Sequence, residues 1–98
     1  MEYILRPSKF FLEQLDDLSK DAKSLIEEKL KLAKNNPYRY KRILGYKLFL
    51  FRIRFEEDKK EKRVIYLIQK PFIKILCILD RSKEYKDLKK YLKKLGYL

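Results

Sequence analysis

Residues 48–66 read LFLFRIRFEEDKKEKRVIY, and the way this stretch folds decides the rest of the chain. Its first eight residues alternate with period two. Phe49, Phe51, Ile53 and Phe55 share one face of an extended strand, and Leu48, Leu50, Arg52 and Arg54 share the other. The charged run EEDKKEK makes the turn. A second strand begins at Arg63, where Arg63, Ile65 and Leu67 alternate with Val64, Tyr66 and Ile68. An antiparallel hairpin then has one wholly apolar face and gathers Arg52, Arg54 and Arg63 on the other. Arginines on a rigid sheet face read either as an anion site or as an ordinary solvated face, and alternation alone does not choose.

Charge distribution bears on that choice. The net charge is +12 over 98 residues, yet residues 1–36 hold seven basic and seven acidic residues and are neutral. Residues 37–63 carry +6, residues 64–81 carry +2 and residues 82–98 carry +4. An excess confined to the part after Asn36 points to a basic face for a polyanion. An anionic membrane is the weaker alternative, because no segment has a Trp- or Phe-rich insertion face. No apolar run approaches the roughly 20 residues that span a bilayer. The start, MEYILRPSKF, lacks the pattern of a signal peptide, so a cytoplasmic location is expected. At 46% hydrophobic residues the chain has material for one compact domain over residues 1–98. Cys77, the one cysteine, sits in the apolar run FIKILCIL and reads as a core residue. A single cysteine and no histidine exclude an internal disulfide and the usual zinc sites, and no metal or cofactor is expected. Any catalysis must use Lys, Arg, Tyr or carboxylates.

Ahead of the hairpin, Tyr3-Ile4-Leu5 is a short strand stopped by Pro7. Ser8 and Ser19 are N-cap candidates for two helices, with Phe11, Leu15 and Leu18 on one stripe and Ala22, Leu25, Ile26, Leu30 and Ala33 on the next. Asn35-Asn36-Pro37 ends the second helix. The segment Tyr38-Arg39-Tyr40-Lys41-Arg42 interleaves rings with cations, as single-strand binders do, or is a basic loop with tyrosines packed at the domain edge. Beyond the hairpin, residues 72–79 read as a third strand covered on both faces, or as a buried helix. Ser82 opens a terminal lysine-rich helix with Tyr85, Leu88, Leu92 and Leu95 on its stripe. The order β-α-α-β-β-β-α defines an α+β fold, an antiparallel sheet packed on an N-terminal helical hairpin. The arginine face also carries Leu48, Leu50, Ile65 and Leu67, too apolar for water, so either the terminal helix or a separate protein chain covers it.

The early strand YIL, the helical hairpin ending in NP, the segment ILGYKLFLFRIRF, the strand start RVIY and the ending ILDRSKEY together resemble the RelE/ParE toxin superfamily, and its RelE branch more closely. The resemblance covers about residues 3–86; order and spacing carry it rather than any single piece. It implies the RelE-like fold and a type II toxin that cuts translated mRNA on the ribosome, without metal, as an endoribonuclease. The implied partners are the ribosome with its mRNA and a RelB-like antitoxin, in a hetero-oligomer without membrane. Arg52, Arg54, Arg63, Arg81 and Tyr85 fall on the family's catalytic positions. Leu50 and Arg52 stand where the family carries a lysine pair, a departure that argues against a lysine general base. Arg39, Lys41, Arg42, Lys47, Lys83 and Lys86 are the further candidates for RNA contact, the last two alternatively a solvated helix face. Leu48, Leu50, Ile65 and Leu67 are the candidates for antitoxin contact. A ParE-like toxin acting on gyrase, or a non-catalytic RNA- or DNA-binding module, is the alternative function.

Arginine forks match phosphate geometry and place charge where it develops during RNA cleavage. Arginine is a poor base. Tyr85 is then either a base favoured by neighbouring cations or a stacking and positioning group.

Overall fold

The serines ahead of the two apolar stripes act as caps. In the computed structural model, which describes residues 2–98 with the side chains of residues 83–85 excepted, Ser8 Oγ accepts from Phe11 N at 3.0 Å and Ser19 Oγ from Ala22 N at 3.2 Å. Each cap satisfies an otherwise orphaned helical N–H, an effect of about 1 kcal/mol. Helices α1 (Lys9–Asp16) and α2 (Lys20–Asn35) follow. Pro37 ends α2 and opens a 3₁₀ turn, Pro37–Arg39. The stripe Phe11, Ala22, Ile26, Leu30 and Ala33 packs on one face of a sheet whose core side chains include Phe51, Ile53, Val64 and Tyr66. Tyr66 is wholly buried there, its hydroxyl donating to Pro37 O and its ring stacked on Phe51 at 5.6 Å.

The sheet has five strands in the order β1-β5-β4-β3-β2: β1 (Ile4–Pro7), β2 (Lys41–Ile43), β3 (Leu50–Glu57), β4 (Lys60–Gln69) and β5 (Phe72–Asp80). All neighbours are antiparallel except β1 with β5. The α+β fold holds, and residues 72–79 are a strand. One strand is additional. Lys41 and Arg42, from the segment read as a single-strand binder or a basic loop, form with Ile43 a strand that pairs with β3; Ile43 reaches the core while the two cations stand on the sheet edge. Charges on an edge strand also discourage pairing with other sheets.

The turn of the central hairpin is shorter than the seven charged residues imply. Only Asp58 and Lys59 leave the strands, at φ 51° and 64°. Positive φ at both positions gives the turn the twist that adjoining strands need. Strand β4 therefore starts at Lys60 rather than Arg63, and Glu61 joins the ladder opposite Glu56.

An irregularity where Ile65 pairs with Cys77 and Tyr66 with Ile75 leaves Leu76 as an extra residue on β5. The bulge shifts the alternation, so Ile73, Ile75 and Ile78 face the helical hairpin while Leu76, Cys77 and Leu79 face the other side. Past the end of β1, the Gln14 amide donates to Ile78 O (2.8 Å) and accepts from Ile78 N (2.7 Å), completing hydrogen bonds that a neighbouring strand would otherwise make.

The second face is closed by helix α3 (Glu84–Lys94), whose Leu88 and Leu92 are completely buried with Leu50, Ile65 and Leu67. Of the two covers left open for the face of Leu48, Leu50, Ile65 and Leu67, the terminal helix is the one present, so these candidates for antitoxin contact do not form an open apolar surface. Leu50, Ile65 and Leu67 are buried within the chain itself, Leu48 packs half-buried at their margin, and the cover is the chain's own helix. Beneath it, burial pushes the Cys77 thiol up to about 12, so at pH 8 it is almost wholly protonated. A thiol reagent is expected to modify the folded chain on the order of 10³-fold more slowly than the urea-unfolded chain. Comparable rates would mean that α3 does not close this face.

Candidate functional site

The cross-strand register sets the site. Arg54 stands directly opposite Arg63, Arg52 opposite Ile65 and Lys41 opposite Arg52, and directly opposed residues share a face. The three hairpin arginines therefore lie on one face, as their alternation predicts, at the end nearer the turn and beside the area under α3. Their burial differs. Arg52 and Arg63 are buried, Arg54 is exposed, and Arg81, in the 3₁₀ turn Arg81–Lys83 at the end of β5, is exposed as well.

Two guanidiniums facing each other across a ladder repel. Among the described residues an offsetting charge comes from Glu61, a residue hidden in the presumed turn. Its Oε2 lies 3.2 Å from Arg81 Nε and 3.7 Å from Arg63 Nη2, and its Oε1 lies 3.8 Å from Arg54 Nε. Among the described residues, one carboxylate thus meets arginines from β3, β4 and the end of β5. The signal was available in the sequence: period two carried back from Arg63 puts Glu61 on the arginine face.

Two open clefts flank this group. One, of about 410 Å³, is lined by Lys29, Arg39, Tyr40, Lys41, Arg52 and Arg54. The other, of about 630 Å³, is lined by Lys59, Lys60, Glu61, Asp80, Arg81 and Ser82. Together they make a basic strip from Lys41 past the arginine pair to Arg81. Arg39 and Lys41 join it. Arg42 does not: it pairs with Phe51, on the opposite face, and lies over the Phe49 ring at 4.5 Å. Lys47 and Lys86 are exposed and line neither cleft. The side chains of Tyr85 and Lys83 lie outside the described residues.

The tyrosines next to Arg39 differ in role. Tyr40 is packed at the domain edge, its hydroxyl donating to Lys29 O at 3.1 Å, and burial raises its phenol above the ordinary value while Arg39 lowers it. Tyr38 is half-exposed, edge-on to Phe51. Among the described residues no group of three His, Cys, Asp or Glu side chains is placed to hold a metal, and no helix is long and apolar enough to cross a membrane.

The fold is that of RelE toxins. An arginine-to-alanine double mutant of the E. coli toxin RelE in the free state superposes with a TM-score of 0.77 at 15% identity, covering 98% of this chain and 99% of that one. The archaeal RelE–RelB complex from Pyrococcus horikoshii gives 0.70 at 24% identity over 85% and 99% of the two chains. The intact E. coli RelBE toxin–antitoxin complex gives 0.69 at 14% identity over 79% and 94%. No family model and no curated protein matches the sequence. At these identities the likeness carries the fold, and the chemistry has to be argued from the site.

Proposed function

We propose that this chain is the toxin of a type II toxin–antitoxin system and cuts translated mRNA on the ribosome. The observation that carries this reading is the convergence of Arg54, Arg63 and Arg81 on one point, beside buried Arg52, in the fold of the RelE toxins. Cleavage of RNA by its own 2′-hydroxyl forms a bond from that oxygen to phosphorus and breaks the bond to the 5′-oxygen. It passes through a phosphorane with extra negative charge. Guanidinium forks fixed on a sheet meet that charge as it develops, the part a metal ion plays in other nucleases. Arg54 and Arg81, exposed over the clefts, are placed to touch phosphate; Arg52 and Arg63 supply charge from beneath.

Proton removal from the 2′-hydroxyl falls to a group outside the arginines, whose pKa is above 12. Tyr85 remains the candidate. A site without a strong base depends on alignment, and a ribosome that pins the message supplies it. In this reading the inactive form is a hetero-oligomer in the cytoplasm with a RelB-like antitoxin. An acidic segment that folds on the basic strip neutralises the cations. To use Leu50, Ile65 or Leu67 it has to displace α3.

The test runs purified protein in a translation mixture and in a gyrase supercoiling assay side by side. The expected result is message scission on translating ribosomes with supercoiling unchanged. Inhibited supercoiling without scission would make this a gyrase-directed toxin, and RNA binding without scission a non-catalytic module.

A further inference from the structure

The arrangement around Glu61 says more than that a counter-charge is present. Side-chain exposure rises from Arg63 at 5% through Glu61 at 29% to Arg54 at 55% and Arg81 at 71%. Glu61 is thus more enclosed than two of its arginines and more open than the third. Its Oε2, the oxygen shared by Arg63 and Arg81, is shut off from water. Glu61 meets both exposed arginines at Nε, the inner end of the guanidinium, through charge rather than a formed hydrogen bond: 3.8 Å to Arg54, and 3.2 Å to Arg81 at an oxygen that accepts no hydrogen bond among the described residues. The terminal nitrogens of each fork lie beyond that contact, on the edge that a ligand would meet.

An internal anion beside a phosphate site can act in two ways. It can hold the phosphate's place and compete with it, or it can hold the arginines in place from behind. The contacts at Nε and the enclosed oxygen favour the second. We infer that Glu61 is a positioning residue: it tethers Arg54 and Arg81 by their inner nitrogens so that their outer edges converge over the buried charge of Arg63. The ligand is a phosphodiester. An arginine fixed in this way loses less freedom when the transferring phosphate gains charge, so the tether acts on the rate of the chemical step more than on binding. This inference rests on the RNA-cleaving reading for its kinetic consequence, though not for its geometry.

The test substitutes Glu61→Gln, which keeps the shape and removes the charge. In single-turnover cleavage of a defined mRNA on programmed ribosomes, the maximal rate should fall about 10–100-fold. The ribosome concentration at half-maximal rate should stay the same or fall, because the strip gains one unit of net positive charge. A rate equal to or above that of the parent protein would show a competing placeholder and overturn the inference. So would a loss of rate and affinity together with a lowered Tm, the mark of a merely structural role. A second readout stands apart from activity: the motion of the arginine Nε groups, followed by ¹⁵N relaxation with inorganic phosphate as the added anion. The Arg54 and Arg81 Nε order parameters should be higher in the parent protein than in the Glu61→Gln protein, with and without phosphate. Equal order parameters in the two proteins refute the tether. If the parent cuts no RNA, the cleavage reading fails, and the relaxation experiment still decides the role of Glu61.

Discussion

Replacing Arg81 by alanine should lower the rate of message cleavage on translating ribosomes by about 10²–10³-fold, the usual cost of losing one fixed donor to a developing oxyanion. Folding should hardly change. The Arg81 side chain is 71% exposed, and its described charge contact is with Glu61. Exposed ion pairs contribute no more than about 1 kcal/mol, which for a domain of this size is a Tm change within about 8 °C. Cleavage by Arg81→Ala within threefold of the parent rate would remove Arg81 from the site. Arg63 makes a less clean test than its place in the strand suggests. It is buried, so Arg63→Ala also leaves a void and takes away one of the charges facing Glu61. Its effect on activity has to be read against its own stability.

The largest expected effect on stability comes from the other end of the same face. Leu92→Ala removes a completely buried side chain from the layer between α3 and the sheet. Large-to-small changes of this kind cost about 2–5 kcal/mol. Against a total of about 5–15 kcal/mol, that should lower Tm by roughly 10 °C or more, measured by thermal denaturation. Because α3 covers Cys77, thiol labelling should quicken in the same variant. A Tm within 2 °C of the parent would show that α3 is not a load-carrying part of the core.

The same helix shows where sequence reasoning reached and where it stopped. The apolar stripe of α3 and the apolar half of the arginine face were both visible from periodicity. Sequence alone does not say whether a half-apolar sheet face is covered by its own chain or by another, since both bury the same side chains. Packing Leu88 and Leu92 over Leu50 and Ile65 answers that. The helical hairpin was legible because Ser8, Ser19 and Pro37 are local signals that act within a few residues. The hairpin arginines were legible because a ladder preserves period two. Glu61 was missed because EEDKKEK has the composition of a loop, and an Asp-Lys turn lacks the Gly that usually marks a two-residue connection. Strand β2 was missed because an edge strand with one buried residue carries too little apolar signal. The bulge at Leu76 leaves no trace because the residues around it, Ile75 to Leu79, are all buried on one side or the other.

In the proposed function, the strip from Lys41 to Arg81 holds the backbone of a ribosome-bound message. Mapping 5′ ends on a defined mRNA tests it most directly, with purified protein added once to translating ribosomes and once to the naked transcript. New ends are expected on the translated message, absent or at least about 10²-fold weaker on naked RNA, and lost with Arg81→Ala. Equal cleavage of both RNAs, or ends that persist in Arg81→Ala, would contradict it.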